Sequence, residues 1–448
     1  MAKRFPIVTV RLEKIVGGGQ ALGQIDDGRK IFVWGGLPNE LVRVQITKRK
    51  SSYAEGRVIE VLEPSDQRIA PLDQGSYLST SPWQIMDFAT EQHFKAALIE
   101  EAFELHDIVL PHPITMYSDG NRFAYRNKLE FSWYGSAAVV EQADGSDTRD
   151  EVQPENLDLA FFIRGSKGKV PVQQMSLAKP EIVTAAVAIR DLLRTKEVTA
   201  RNLKTLLIRA NQAGDVVWQL YIKDEIQNLI SSEEAAKLPA IGGEVIYSDP
   251  RSPASKITKR LAAFGTTVLS DTILATDFRY ATEGFFQINL PVYEVALRDM
   301  KGWIEEHNTS KVVDLYSGVG TIGLTIGGDA TTLVEIDEHA VREMKENIAR
   351  LGKTSNAVLA PSEKALDYIT EDSLIIVDPP RAGLHDAVAE RILEVLPPRI
   401  IYLSCNPVTQ ARDVAILAEK YGIRAHQGYN FFPCTPHIEH LVVLDLKP

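Results

Sequence analysis

Val312-Val313-Asp314-Leu315-Tyr316-Ser317-Gly318-Val319-Gly320 is the stretch that decides the fold. Val312 to Leu315 is β-branched and apolar, as a buried strand requires, and the glycines then turn the chain into a helix. Glycine at such a turn lets the backbone approach a ligand closely. The next strand carries an acid, Glu335, at its end. It lies 21 positions after Asp314, near the ~20 expected for a carboxylate that grips ribose hydroxyls. The pattern D-x-x-x-G-x-G lacks the third glycine of the pyrophosphate-binding fingerprint. A nucleoside without a diphosphate fits it better, and S-adenosylmethionine is the obvious one. An unliganded strand-to-helix turn is the alternative.

Outward from this turn, strands fall near 311–315, 331–336, 373–377 and 399–404, with helical stretches such as 338–351 and 386–396 between them. That alternation predicts an α/β, Rossmann-like, doubly wound and mostly parallel sheet. Segments near 423–431 and 438–446 follow closely enough to form a terminal antiparallel pair. Leu374-Ile375-Ile376-Val377-Asp378-Pro379-Pro380-Arg381 ends one strand with an acid and two prolines, which stiffen the loop and fix the direction of Asp378. A rigid turn with no ligand role is the alternative. Arg399-Ile400-Ile401-Tyr402-Leu403 reads as a buried strand ended by Pro407, which has no N–H to donate. Cys405 therefore sits where open α/β sheets hold their reactive groups. A thiol there is a candidate nucleophile, although a lone thiol is more commonly a buried structural cysteine.

Composition narrows the class. A chain of 448 residues suggests two to four domains, and 44% hydrophobic with 24% charged residues is ordinary for globular protein. Met1-Ala2-Lys3-Arg4-Phe5-Pro6 has no apolar core of a secretory leader, and no apolar run spans a bilayer. Two cysteines, not spaced as CxxC, exclude a disulfide framework, a cysteine zinc site and a cysteine-ligated iron–sulfur cluster. No metal is expected, and the cysteine usage fits a reducing cytosol. The net charge of −11 argues against a nucleic-acid partner until its distribution is read. Residues 1–63 carry 11 Lys/Arg against 7 Asp/Glu, and the rest carries 38 against 53. A small basic module on an acidic body is one reading, a solvated mixed surface the other.

Five short strands within residues 7–63, punctuated by Gly17-Gly18-Gly19 and Asp26-Asp27-Gly28, predict an OB-like barrel. Lys48, Arg49, Lys50 and Arg57, with Tyr53 among them, would put cations and an aromatic on one hairpin, suited to phosphates and base stacking. A hairpin kept soluble by its lysines is the alternative. Residues 87–105 carry Phe94, Leu98 and Ala102 along one helical row, with Ile99 and Phe103 beside it. From about 120 to 283 the chain is β-rich with short helices, as in Lys128–Trp133 and Val216–Ile222. No internal repeat or low-complexity tract is present.

Five ordered motifs give a more specific identification. They are Phe285-Phe286-Gln287-Ile288-Asn289, Asp314 to Gly320, Asp378-Pro379-Pro380-Arg381, Ser404-Cys405-Asn406-Pro407 and Thr435-Pro436-His437-Ile438-Glu439-His440. In that order they resemble the RNA 5-methyluridine methyltransferase family, which methylates C5 of uracil in ribosomal or transfer RNA. The barrel resembles the TRAM domain of many members, and Tyr125-Arg126-Asn127-Lys128 matches more loosely. The resemblance implies Cys405 as the nucleophile that adds to uracil C6 and Glu439 as the base that takes the C5 proton. It implies Gln287, Tyr316, Gly318, Thr321, Glu335 and Asp378 as donor-binding residues. Thr321 stands where close relatives often have Asn. Phe285 is the candidate to stack on the flipped uracil, and Arg126 joins Lys48, Arg49, Lys50 and Tyr53 in contacting RNA. Glu439 would open a strand, His437 to Leu444, and share its face with His437, Leu441 and Val443. A carboxylate on so apolar a face is expected to have a raised pKa, useful for a base.

The chain also departs from the family. Relatives with this barrel often hold an iron–sulfur cluster on four cysteines, three of them just after it. Here Ala70-Pro71-Leu72-Asp73-Gln74-Gly75-Ser76-Tyr77-Leu78-Ser79 has none, so no cluster is expected. A disulfide between Cys434 and Cys405 would block catalysis, and a reducing cytosol disfavours it. The expected organisation is a TRAM barrel at 1–64, a central RNA-binding domain at 120–283, and a methyltransferase domain from 86–119 with 284–448. The expected activity is methylation of uridine C5 in RNA by a cytoplasmic monomer. The substrate is 23S ribosomal RNA ahead of transfer RNA, since the barrel accompanies ribosomal-RNA enzymes more often. An adenine amino-methyltransferase needs an aromatic where Arg381 stands and leaves Cys405 idle. The cytosine-C5 enzymes use two active-site cysteines in a different arrangement. A non-catalytic RNA-binding or assembly factor is the reading from another class, and the intact Cys405 and Glu439 argue against it.

Overall fold

Alternating apolar residues build the first sheet. The structure, a computed structural model, describes residues 5–136, 156–307 and 311–448. Residues 1–4, part of the stretch read as carrying no leader, lie outside it, as do 137–155 of the expected central domain. Strands β1 (Ile7–Ile15), β2 (Ala21–Gln24), β3 (Lys30–Trp34), β4 (Leu41–Arg49) and β5 (Tyr53–Glu63) close a barrel in the order β1-β2-β3-β5-β4. Val10 and Leu12, Ile31 and Val33, and Val42, Val44 and Ile46 are buried at every second position. Closure leaves no strand edge unpaired.

The segment after the barrel holds α1 (Tyr77–Thr80) and a knot of buried polar groups. Gln84 Nε2 donates to Asp73 Oδ2 at 2.8 Å, Ser81 Oγ at 2.7 Å and Ser176 Oγ at 3.1 Å. Ser176 donates to Asp73 through its backbone N–H at 3.1 Å and its hydroxyl at 2.8 Å. Where the resembled enzymes have cysteine ligands, this chain cross-links the same stretch to the central unit with hydrogen bonds. Asp73→Ala strands several of these donors. It is expected to lower unfolding free energy by about 3 kcal/mol, read by urea denaturation; a loss under about 0.5 kcal/mol, the size of an ordinary surface change, would make the knot incidental.

Asp87 caps α2 (Phe88–Glu104) by accepting from the Thr90 N–H. The helix buries Leu98, Ile99, Ala102 and Phe103, and with them Glu91 and Lys95. Next come β6 (Met116–Tyr117), β7 (Lys128–Ser136), β8 (Asn156–Phe162), β9 (Lys169–Pro171), α3 (Pro180–Arg194), β10 (Leu203–Ala210), β11 (Val216–Ile222), α4 (Ser232–Ala235), β12 (Gly242–Tyr247) and β13 (Lys259–Gly265). Seven of these strands form the central sheet, in the order β13-β12-β11-β10-β7-β8-β9. Its helix α3 has 15 residues, longer than the short helices expected, because Ile182, Ala185, Ala186, Ile189 and Leu193 give it a full apolar face. The hairpin β14 (Val268–Ile273) and β15 (Thr276–Ala281), read above as central, belongs with the C-terminal core. Leu269, Ile273, Phe278 and Tyr280 bury against Phe286, Tyr293 and Met300 there.

The remaining elements are α5 (Leu290–His307), β16 (Val312–Leu315), α6 (Thr321–Ile326), β17 (Thr332–Glu335), α7 (Glu338–Leu351), β18 (Asn356–Leu359), β19 (Leu374–Val377), α8 (Asp386–Val395), β20 (Arg399–Ser404), α9 (Pro407–Leu417), β21 (Tyr421–Tyr429) and β22 (Glu439–Leu446). Their sheet runs β18-β17-β16-β19-β20-β22-β21-β6. The chain steps outward from β16 to β18, then returns to β19 on the other side. The switch point therefore lies between the ends of β16 and β19, where open α/β sheets bind ligands.

Two local expectations are corrected and a third holds. β20 stops at Ser404, and Pro407 instead opens α9, with Asn406 as its cap; a proline at the first helical position loses no hydrogen bond. The terminal strands pair antiparallel as expected, with β22 lying between β20 and β21. β22 begins at Glu439, so His437 lies ahead of it rather than sharing its face. Among the described residues no helix is long and apolar enough to cross a membrane.

Candidate active site

Strand direction brings the two principal candidates together. β16, β19 and β20 run parallel, so Tyr316, Asp378 and Cys405 all follow C-terminal ends at one edge. β22 runs antiparallel to β20 with Ser404 opposite His440, so its N-terminal end reaches that edge. Cys405 leaves one strand where Glu439 enters the other. A cavity of about 1850 Å³ opens there, and both residues line it.

The electrostatics of this edge are uneven. Burial pushes the Cys405 thiol up to about 11, with the Glu439 and Asp378 carboxylates adding to the rise and the Arg381 guanidinium opposing it. Burial also lifts Glu439 well above the usual carboxylate range, and Asp378 adds to it, while Arg381 and Lys95 pull the other way. Asp378 is pushed up to about 7 by its protein surroundings. Arg381 reaches His437 Nδ1 at 3.0 Å, and its carbonyl accepts from Asn406 Nδ2 at 2.8 Å, which ties the Asp378 loop to the Cys405 loop. A neighbouring negative charge disfavours a thiolate. Glu439→Gln removes one, so the half-point of Cys405 alkylation is expected to fall below about 11. The pH dependence of iodoacetamide labelling reads this, with buried Cys434 protected. An unmoved half-point would mean that Glu439 does not face the thiol.

The turn after β16 is strained and open. Tyr316 has φ 62°, a left-handed conformation uncommon for a non-glycine residue. Its hydroxyl accepts from the His385 N–H at 3.3 Å. Gly318 has φ 57°, and the space a Cβ would occupy there is empty. Glu335 accepts from the N–H groups of Gly318 at 2.9 Å and of Ile336 and Asp337 at 2.8 Å, holding the turn against the end of β17. Thr321 Oγ1 lies 3.0 Å from the hydroxyl of fully buried Tyr293. Gln287 is buried and lines the cavity. This open backbone cradle beside a carboxylate suits a nucleoside.

Phe285 is 69% exposed at the cavity, a high value for a large apolar side chain. Phe286 beside it is buried and stacked on Tyr280 at 4.0 Å. Arg126 also lines the cavity, its Nε donating to the Lys128 carbonyl at 3.2 Å. The barrel cations do not line it. Lys48 pairs with Glu55 at 2.6 Å and Arg49 with Asp27 at 3.0 Å, leaving Lys50 exposed. Tyr53 meets Phe32 edge-on at 5.7 Å. These side chains stand at the barrel surface, away from the cavity lining. The barrel adjoins the site elsewhere: Trp83 Nε1 donates to the Gly19 carbonyl at 3.0 Å, and a Cβ on Gly19 would strike Pro436 at 2.1 Å.

Several contributors were not legible in the sequence. Ile336, 66% exposed in the cavity beside Glu335, offers an apolar face to a base. Lys95 donates to Asn430 Oδ1 at 2.6 Å and to the Phe432 carbonyl at 3.0 Å, and pairs with Glu91 at 3.0 Å. Glu91 also accepts from the Cys434 N–H at 2.9 Å. This buried pair pins the loop that leads into Glu439. An opposite-charge i, i+4 pair on the apolar row of a helix was the signal available.

Comparison with known proteins adds to this geometry. Residues 364–447 match the family model described as tRNA (Uracil-5-)-methyltransferase, and residues 2–59 match the TRAM domain. An uncharacterised RNA methyltransferase of Enterococcus faecalis is 28% identical over 99% of this chain and 98% of its own length. One from Thermosynechococcus vestitus is 26% identical over 98% and 97%. The crystal structure of Pyrococcus abyssi tRNA (uracil-54, C5)-methyltransferase with S-adenosyl-L-homocysteine superposes with a TM-score of 0.75. It is 19% identical and covers 97% of this chain and 99% of that one, a likeness of fold.

Proposed function

We propose that this chain, which belongs to the RNA uracil-5-methyltransferase family and carries a TRAM domain at its N-terminus, methylates C5 of a uridine through a covalent cysteine adduct. S-adenosylmethionine supplies an electrophilic methyl group when bound. The open turn at Gly318, the Glu335 carboxylate and the exposed face of Ile336 fit its nucleoside, with Gln287, Tyr316, Thr321 and Asp378 around it. Uracil C5 is a poor nucleophile. The Cys405 thiol gives its proton to solvent and adds through sulfur to C6; the C5–C6 electron pair moves toward the C4 carbonyl, which leaves C5 enolate-like and able to take the methyl group, with S-adenosylhomocysteine as the leaving group. Glu439 then removes the C5 proton, and the electron pair of that C–H bond expels the thiolate from C6. Phe285 holds the flipped base by stacking, and Arg126 meets the RNA at the cavity mouth.

The observation that carries this reading is the meeting of Cys405 and Glu439 at one edge of one cavity. The finer reading is 23S ribosomal RNA, acted on in the cytoplasm by a monomer; the TRAM barrel supports it, since it accompanies ribosomal-RNA enzymes more often. Tritium release from RNA labelled at uracil C5 tests both levels. Release from a 23S transcript alone, lost in Cys405→Ala, is expected. Release from transfer RNA alone would move the substrate. No release from either transcript or from a pre-assembled ribosomal particle, with donor binding intact, would defeat the reaction. Trapping by RNA containing 5-fluorouracil separates this enzyme from an RNA-binding factor, because C5-fluorine blocks the proton removal and keeps the adduct.

A further inference from the structure

The loop between β15 and α5 carries Phe285 and Gln287, yet two side chains of the central sheet hold it. Arg209 of β10 donates from one terminal nitrogen to the carbonyls of Ala281 at 3.2 Å and Gly284 at 2.9 Å. Its guanidinium lies 5.2 Å from the centre of the Tyr280 ring, the ring that stacks on Phe286. Asn127, just before β7, donates from Nδ2 to the Gln287 carbonyl at 2.8 Å. β7 and β10 are antiparallel partners with Arg209 opposite Lys128, and the Ala210 N–H bonds the Asn127 carbonyl at 2.9 Å. The two side chains therefore leave one end of the sheet side by side and grip the two ends of one loop.

Both residues are buried at a cost. Arg209 is 1% exposed, no carboxylate forms a salt bridge with it among the described residues, and its Nε has no hydrogen-bond partner. Asn127 is 2% exposed, and its Oδ1 is likewise without a partner. An apolar side chain of similar size would fill either place with less desolvation. What the polar groups supply is direction, a fixed path for the 281–287 backbone.

We propose that Arg209 and Asn127 are positioning residues that divide the loop between them: Arg209 sets the Phe285 end for the target base, and Asn127 sets Gln287 for the methyl donor. The assignment rests on the functional reading above. It makes the central sheet a jig for the reacting groups and predicts a crossed pattern. Arg209→Met is expected to lower kcat for methylation about 10²-fold while leaving S-adenosylhomocysteine affinity within twofold. Asn127→Ala is expected to weaken that affinity about tenfold while leaving RNA affinity within twofold. Arg209→Lys, which keeps a donor for one carbonyl, should recover part of the lost kcat.

Four measurements decide it on the full chain: calorimetric titration of S-adenosylhomocysteine, equilibrium RNA binding by filter retention, steady-state methylation, and hydrogen exchange of amides 281–289. Exchange there is expected to quicken at least about tenfold in each variant while the strands of the C-terminal sheet keep their protection. Unchanged loop exchange, or equal loss of donor and RNA affinity in both variants, would overturn the proposal. If the wild-type protein methylates no RNA, the functional reading fails by itself. Loop exchange and S-adenosylhomocysteine binding are read without RNA and still decide whether the side chains position the loop.

Discussion

Cys405→Ala is expected to abolish methylation, with a loss of at least about 10⁴-fold, as removal of an enzymatic nucleophile produces. Alanine cannot add to uracil C6, so C5 never becomes nucleophilic, and no other described cysteine can replace it because Cys434 is buried. Cys405 sits beyond β20, on the far side of β19 from the open turn after β16. Its loss is therefore expected to leave S-adenosylhomocysteine affinity within about twofold, the size of a surface perturbation. Turnover and calorimetry on the same preparation read both. Turnover within tenfold of wild type would remove Cys405 from the chemistry. Lost donor binding would mean that the substitution disturbs the switch point itself.

Glu439→Gln should separate the two halves of the reaction. Glutamine fills the same space but cannot accept the C5 proton, so attack and methyl transfer proceed while elimination stalls. General bases of this kind contribute about 10²–10⁴-fold. The expected result is a methylated RNA–protein adduct that survives denaturing electrophoresis, with steady-state turnover reduced by about that range. Free methylated RNA at the wild-type rate would assign the base to another group, and Asp378, pushed up to about 7, is the nearest candidate on chemical grounds.

The relations legible along the chain were local. The glycine turn at Gly318 and Gly320, the strand ends at Glu335, Asp378 and Cys405, and the barrel alternation all depend on neighbours a few positions apart. Periodicity and turn chemistry record such neighbours. Pro407 opens α9 rather than closing β20, because a proline after a strand and a proline opening a helix leave the same local trace. The hairpin at 268–281 packs in the C-terminal core, because its composition says β while its partners decide its core.

Only the tertiary structure decided what meets what. Glu439 reaches Cys405 because β22 inserts antiparallel beside β20, pairing residues 36 to 46 positions apart (Ser404 with His440, Arg399 with Asp445), which no periodicity encodes. Lys95 and Glu91 find their partners only where the loop at 430–434 packs on their helix. Asp73 and Gln84 are buried, and Ser176 half-buried, only because folding brings them together. A polar group excluded from water must find its partner wherever the chain brings one, and that partner is set by packing rather than by sequence distance.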